Sequence, residues 1–241
     1  MKPLVLLHGW ALNRRVFDDL IEQLGRDCIA LDLPGHGMAE ASDVWSPAAL
    51  ATHMLAQMPP TFDLLGWSLG AQVAVEIAAV APERVSRLVL VGATPKFTQS
   101  VDWPHAVTTN TLDMLATQLC RHPTRTIADF LALQVRGSTA ATNTLSRLQQ
   151  SLRAGGAGAD AALVAALEWL RTTDQRSRLS SIQQPSLVVA GQYDRIVHPE
   201  ASKSLAQSLP NALYLEIPRC GHAPFLSHPE HLHALLQEFL Q

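Results

Sequence analysis

The five-residue turn Gly66-Trp67-Ser68-Leu69-Gly70 constrains this chain more than any other stretch. Ahead of it, Phe62 to Leu65 is a short apolar run that reads as a buried strand. Behind it, Val73, Ile77 and Val80 fall at helical spacing and predict an apolar helix stripe. By itself G-x-S-x-G is a weak signal, and a plain Gly/Ser turn in an α/β protein is the ordinary alternative. The setting of strand, tight turn and helix gives it force. Such a turn lifts the serine out of the sheet in a strained conformation, and its glycines remove side chains that would collide across it. The start of the following helix aims unpaired N–H groups and partial positive charge at whatever Ser68 attacks.

The rest of the chain repeats this alternation. Leu4 to Leu7 is a continuous apolar run, as a buried parallel strand requires, and it leads into His8-Gly9-Trp10. Val16 to Leu24 predicts an amphipathic helix. Cys28 to Leu33 predicts a strand that ends in the turn Pro34-Gly35-His36-Gly37. Pro47 to Met58 predicts a helix, with Ser46 as N-cap and proline at its first position. Val85 to Val91 is the next strand. Strand and helix in alternation predict a mostly parallel sheet with helices on both faces. The pattern changes after Thr94-Pro95. From 96 to 181 no strand is evident, and helices are expected over 112–120, 127–135, 142–152 and 161–170, with 153–158 a flexible break. Strands return over 185–190 and 211–217, and 229–240 is a final helix. The expected organisation is an α/β core of residues 1–95 and 182–241 with an all-helical cap, or lid, of residues 96–181 inserted between strands.

At 241 residues and 47% hydrophobic, the chain suits one sizeable domain with such an insertion. A net charge of −3 does not suggest nucleic-acid binding. Three widely spaced cysteines, Cys28, Cys120 and Cys220, argue for reduced thiols rather than a disulfide framework. The apolar run at Leu4 is too short for a signal peptide, and no segment approaches a membrane span, so a soluble cytoplasmic monomer is expected. Charge separates the two parts. The cap holds nine Lys and Arg against six Asp and Glu and is +3, leaving −6 for the core. Either an ordinary solvated surface or a docking face for an acidic partner accounts for that.

A serine hydroxyl needs a histidine to take its proton and a buried carboxylate to orient that histidine. Asp194, in Gly191-Gln192-Tyr193-Asp194, follows the strand at 186–190. His222, in Cys220-Gly221-His222-Ala223, follows the strand at 211–217. The order Ser, Asp, His, with each after a strand, puts all three at one sheet edge. Asp32 also follows a strand but precedes Ser68, the wrong order. His8 is expected to support its loop. His198, His228, His231 and His233 lack carboxylate or cysteine partners at metal spacing, so no metal is expected. The oxyanion needs two donors, assigned to the backbone N–H groups of Leu69 and Trp10. The Trp10 ring either packs against substrate or covers the core.

His8-Gly9-Trp10, Asp32-Leu33-Pro34-Gly35-His36-Gly37, Gly66 to Gly70, Gly191 to Asp194 and Gly221 to Phe225 together resemble the α/β-hydrolase family over almost the whole chain. Within it, tryptophans in the oxyanion loop and beside the nucleophile, the cap pentapeptide Phe130-Leu131-Ala132-Leu133-Gln134 and the tail Ala223 to Pro229 resemble the carboxylesterases of biotin synthesis. The resemblance implies that Phe130 to Gln134, with Trp10, Ser68, Leu69 and His222, line the substrate site. It implies as partner an acyl-carrier protein bearing a methyl pimeloyl chain, docked through Arg125, Arg136, Arg147 and Arg153 of the cap, and no cofactor. It also implies a sheet shorter by one or two strands at one edge, since the family has strands ahead of the one at Leu4. A general short-chain carboxylesterase, a triad-based lyase of the same fold and a non-catalytic binding protein are the alternatives. Serine at the nucleophile position excludes haloalkane dehalogenation, which needs aspartate there.

Overall fold

The computed structural model describes residues 2–241. Six strands, β1 (Leu4–Leu7), β2 (Cys28–Leu31), β3 (Phe62–Trp67), β4 (Val85–Val91), β5 (Ser186–Gly191) and β6 (Ala212–Ile217), form one sheet in the order β2-β1-β3-β4-β5-β6. Every pairing is parallel. The interior strands β1, β3 and β5 are buried at every position, whereas β2 and β6, at the two edges, are mostly half-buried. This is why β1 reads as an unbroken apolar run and β6 as a mixed one. Among the described residues no strand precedes Leu4. From β1 the chain passes to β2 on one side, and from β3 to β4 on the other. The carboxyl ends of β1 and β3 therefore flank the switch point at which open α/β sheets leave a crevice.

Helices flank the sheet. α1 (Asp18–Leu24) follows a 3₁₀ turn at Arg14–Phe17 rather than starting at Val16, because the Asn13 side chain accepts the Arg15 N–H and fixes that turn. α2 (Pro47–Leu55) is shorter than expected, and the Ser46 side chain makes no capping bond. α3 (Leu69–Val80) packs on β1, β3 and β4 with ten of its twelve residues buried.

Between β4 and β5 lie α4 (Thr109–Arg121), α5 (Pro123–Gln134), α6 (Ala141–Gly155) and α7 (Asp160–Thr172). The stretch 153–158 is not a flexible break. α6 runs on to Gly155, Asn13 Nδ2 donates to Ser151 O (2.9 Å) and Gly156 O (2.7 Å), and Ala159 N–H donates to Gly35 O (2.8 Å). A Cβ on Gly158 (φ +117°) would lie 2.3 Å from Gly35 O. The glycines there permit close packing of two backbones.

After β5, α8 (Pro199–Ser208) buries only Ala201, Ser202, Leu205 and Ala206, a small-residue face that gives little apolar periodicity in sequence. The chain ends with α9 (Pro224–Ser227) and α10 (Pro229–Phe239). No helix among the described residues is long and apolar enough to cross a membrane.

Candidate active site

Register brings the loops after β1, β3, β5 and β6 to one edge. Leu7 lies beside Gly66, Trp67 beside Val91, and Gly191 beside Ile217. Ser68 ends β3 in a conformation rare for a non-glycine residue, φ 58° and ψ −118°, with its N–H tied to Val91 O at 2.9 Å. A Cβ on Gly66 would come within 2.4 Å of Gly70 O, and one on Gly70 within 2.2 Å of Leu7 O. Any side chain there would push α3 off the sheet and move Ser68.

His222 and Asp194 are joined. His222 Nδ1 lies 2.6 Å from Asp194 Oδ2, and both side chains are buried. Asp194 Oδ1 accepts the N–H groups of Ile196 (2.8 Å) and Val197 (2.9 Å). An ionised carboxylate only accepts, so His222 carries its proton on Nδ1 and leaves Nε2 a bare lone pair. That Nε2 is buried and has no hydrogen-bond partner among the described residues. Among the described residues no hydrogen bond joins it to Ser68 Oγ, and catalytic contacts of this kind often close only with substrate bound. Three neighbours hold the histidine, and of these the sequence leaves only Gly92 unmarked, since Trp67 lies in the Gly66 to Gly70 turn and Gln134 in the pentapeptide that starts at Phe130. The N–H of His222 donates to Gln134 O (2.8 Å), its carbonyl accepts Trp67 Nε1 (2.8 Å), and the absent side chain of Gly92 leaves room for its ring.

The N–H groups of Leu69, first residue of α3, and of Trp10 have no acceptor among the described residues. His8 orients the second. Its Nε2 accepts the Leu33 N–H (3.0 Å), so Nδ1 carries the proton and donates to Gly9 O (2.8 Å). Gly9 O and Trp10 N–H belong to one planar trans peptide and point opposite ways, so holding the oxygen aims the N–H. Burial keeps the His8 imidazole below its ordinary pKa and therefore neutral, and burial beside His8 takes His36 down to about 3. Asp32, the rejected alternative to Asp194, accepts the N–H groups of Arg14 (2.7 Å) and Met38 (3.1 Å) and serves the turn that follows β2. Burial pushes the Cys220 thiol up to about 12, so it is no nucleophile.

A groove of about 830 Å³ runs between α4, α5 and the loop after β5. Phe97, Leu112, Leu115, Phe130, Leu133 and Ile196 give it apolar walls, and Arg125, Asp129 and Arg195 also line it. The groove does not include Ser68. Phe130 is shared, since it lines the groove and meets Trp10 edge-on at 4.9 Å. A helix cannot turn five consecutive residues to one side. Phe130 and Leu133 line the groove, Leu131 and Gln134 are buried in the core, and Ala132 is exposed. The Trp10 ring is buried, with Nε1 donating to Leu163 O of α7 (2.9 Å), and so covers core and ties the loop after β1 to the inserted helices.

The four arginines differ in exposure and pairing. Arg125 is exposed, 3.7 Å from Asp129. Arg136 and Arg153 are exposed and have no ion pair among the described residues. Arg147 is engaged, holding Asp19 and donating to Leu226 O (2.7 Å), so its charge is met within the fold. No group of three or more His, Cys, Asp or Glu side chains that could hold a metal ion occurs among the described residues.

Residues 2–229 match the family described as alpha/beta hydrolase fold. A relative from Nitrosomonas europaea, named pimeloyl-[acyl-carrier protein] methyl ester esterase, is 40% identical over 94% of this chain and 91% of its own. A relative of the same name from Xylella fastidiosa (strain M23) is 42% identical over 98% of this chain and 94% of its own. Among solved structures, an esterase from Exiguobacterium antarcticum superposes with a TM-score of 0.88 at 21% identity, covering 100% of this chain and 92% of that one, a likeness of fold.

Proposed function

This chain belongs to the α/β-hydrolase family, and we propose that it is a serine carboxylesterase that cleaves the methyl ester of a pimeloyl chain carried on an acyl-carrier protein, a step of biotin synthesis. The observation that carries the chemistry is the buried His222–Asp194 pair, which leaves His222 Nε2 bare at the sheet edge where the strained Ser68 turn also lies.

In this reading Ser68 Oγ attacks the ester carbonyl while His222 Nε2 takes its proton, and Asp194 holds the imidazolium that forms. The developing oxyanion lies between the N–H groups of Leu69 and Trp10, which need no reorientation to receive it. As the tetrahedral adduct collapses, the C–OCH₃ bond breaks and His222 gives its proton to departing methanol. Water, deprotonated by the same nitrogen, then attacks the acyl-serine and releases the free acid with Ser68 restored. Side chains and water complete the cycle.

Residues 96–181 act as the cap over a core of 1–95 and 182–241, and the groove beside Phe130 and Leu133 takes the apolar acyl chain and its arm. Its volume falls in the range for ligands much larger than a seven-carbon acid. Position along the groove presents the ester rather than the thioester to Ser68. Arg125, Arg136 and Arg153, joined by exposed Arg121, meet the acidic carrier, while Arg147 stays with Asp19.

The test is methanol release from methyl pimeloyl-carrier protein by the purified chain, beside a nitrophenyl ester and the Ser68→Ala variant. Release that the variant loses, by about 10⁶-fold if Ser68 acts like other triad serines, is the expected result. Release by the variant within tenfold of wild type would assign the nucleophile elsewhere.

A further inference from the structure

The inserted helices are joined to the nucleophile helix by one buried side chain. Gln72 lies four residues after Ser68, one turn along α3, and is 1% exposed. Its Nε2 donates to Thr94 O (3.1 Å), where the chain leaves β4 for the insertion. Its Oε1 accepts Trp169 Nε1 (2.9 Å) from α7. Its backbone carbonyl accepts Gln175 Nε2 (2.8 Å), where the chain returns toward the core. Gln175 is fully buried, donates also to Glu76 Oε1 (2.9 Å), and gives its N–H to Pro95 O (2.9 Å). Outside this knot, Lys96 and Asp174 close the two connecting segments at 3.3 Å, and Arg178 lies 3.6 Å from the buried Glu76.

We propose that Gln72 is a positioning residue that sets the register of helices α4–α7 over Ser68, and with it the placement of long acyl chains.

The reason is directional. Apolar contacts such as Trp10 with Phe130 tolerate sliding, whereas a buried residue whose side-chain amide bonds two segments and whose backbone carbonyl bonds a third does not. A carboxamide has one acceptor oxygen and one NH₂, and here each end is taken by a different segment. A shift of the insertion breaks a bond at a buried site, and an unmade buried bond is expensive. Because Gln72 stands on the helix whose first residue is Leu69, the segment that offers an oxyanion donor and the one that anchors the insertion are a single rigid element.

This rests on the esterase reading for its kinetic arm only. Gln72→Met keeps the volume and removes both side-chain bonds, and Trp169→Phe removes the bond from the other side. Each variant is assayed on nitrophenyl acetate and nitrophenyl octanoate well below its melting temperature, and followed by hydrogen exchange. Losing about one net hydrogen bond corresponds to about tenfold. In Gln72→Met the amides of 94–97 and 169–178 exchange about that much faster while those of β3 and β5 are unchanged. KM for the octanoate rises by a similar factor, and kcat for the acetate stays within about twofold. Adding Trp169→Phe to Gln72→Met changes little further, since the shared bond is already gone. Equal loss on both esters, or additive losses in the double variant, overturns the proposal in favour of general destabilisation. If the wild type cleaves neither ester, the esterase reading fails, and unchanged exchange at 94–97 and 169–178 in Gln72→Met still overturns the positioning role.

Discussion

The proposed chemistry depends on Ser68, one of three non-glycine residues at positive φ among the described residues. A serine at φ 58° and ψ −118° costs on the order of 1–3 kcal/mol, which the packing of Gly66 and Gly70 against their neighbours enforces. Ser68→Gly relieves that strain at a smaller entropic cost, so it should gain roughly 1 kcal/mol of stability while losing turnover. Urea unfolding beside an activity assay checks both, and a less stable glycine variant would mean that the turn stores no strain. His8 and His36, two of the buried histidines, make a second prediction. His36 binds a proton near pH 6.5 when unfolded but only near 3 when folded. Between those values the unfolded chain holds the extra proton, so stability rises with pH there and levels off above about 6.5. His8, lowered in the same direction, adds to the slope, which can approach about 1.4 kcal/mol per pH unit for each histidine. Urea midpoints measured from pH 4 to 8 should show it, and His36→Gln should reduce the slope by about one proton.

At the scale of elements, what the residues announce depends on whether an element makes its own pattern. β1 and β4 are readable because a buried strand is an apolar run, and α3 because its stripe follows directly on the turn. α8 is not, because its buried face holds Ala201, Ser202 and Ala206 with Leu205 as the one large apolar residue. The Arg153 to Gly158 stretch reads as a loose linker by composition, yet it is a seam in which Gly158 meets the Gly35 carbonyl. Gly158→Ala should therefore cost on the order of 2 kcal/mol in urea unfolding, since a Cβ would strike backbone and the residue would be left at positive φ. A neutral result would return that stretch to the status of a free linker. The pentapeptide at Phe130 carries the same lesson. As a string it marks a substrate site, but helical geometry gives only Phe130 and Leu133 to the groove.

Over the whole molecule, charge and surface divide unevenly. The stretch 96–181 carries +3 within a chain of −3. Much of that positive charge is met locally, by Asp19, Glu168, Asp102 and Asp174, which leaves Arg121, Arg136 and Arg153 exposed without ion pairs among the described residues and Arg125 loosely paired. For an acidic carrier the reading predicts that KM rises several-fold between roughly 50 and 300 mM salt, whereas KM for a small nitrophenyl ester does not, because only the first encounter is steered by charge. Reversal of Arg125 and Arg136 to glutamate should reproduce the effect at low salt. Equal salt sensitivity for both esters would point to the fold of the cap rather than to docking.

The residues alone determined the alternation of strands and helices, the parallel sheet, and the candidates Ser68, Asp194 and His222, each after a strand. Apolar period and turn chemistry are local, and chain order places such loops at one sheet edge. Only the tertiary structure decided which groups stand beside them. Trp67 and Gln134 hold His222 through backbone atoms, His8 aims the Gly9–Trp10 peptide, and Gln72 reaches Thr94 and Trp169. It likewise placed Asp19 against Arg147, so that this charge is met within the fold. These contacts join residues up to 155 positions apart, most of them through a backbone carbonyl or amide that every residue carries. No side-chain pattern marks them, so they exist only once the separate segments have packed.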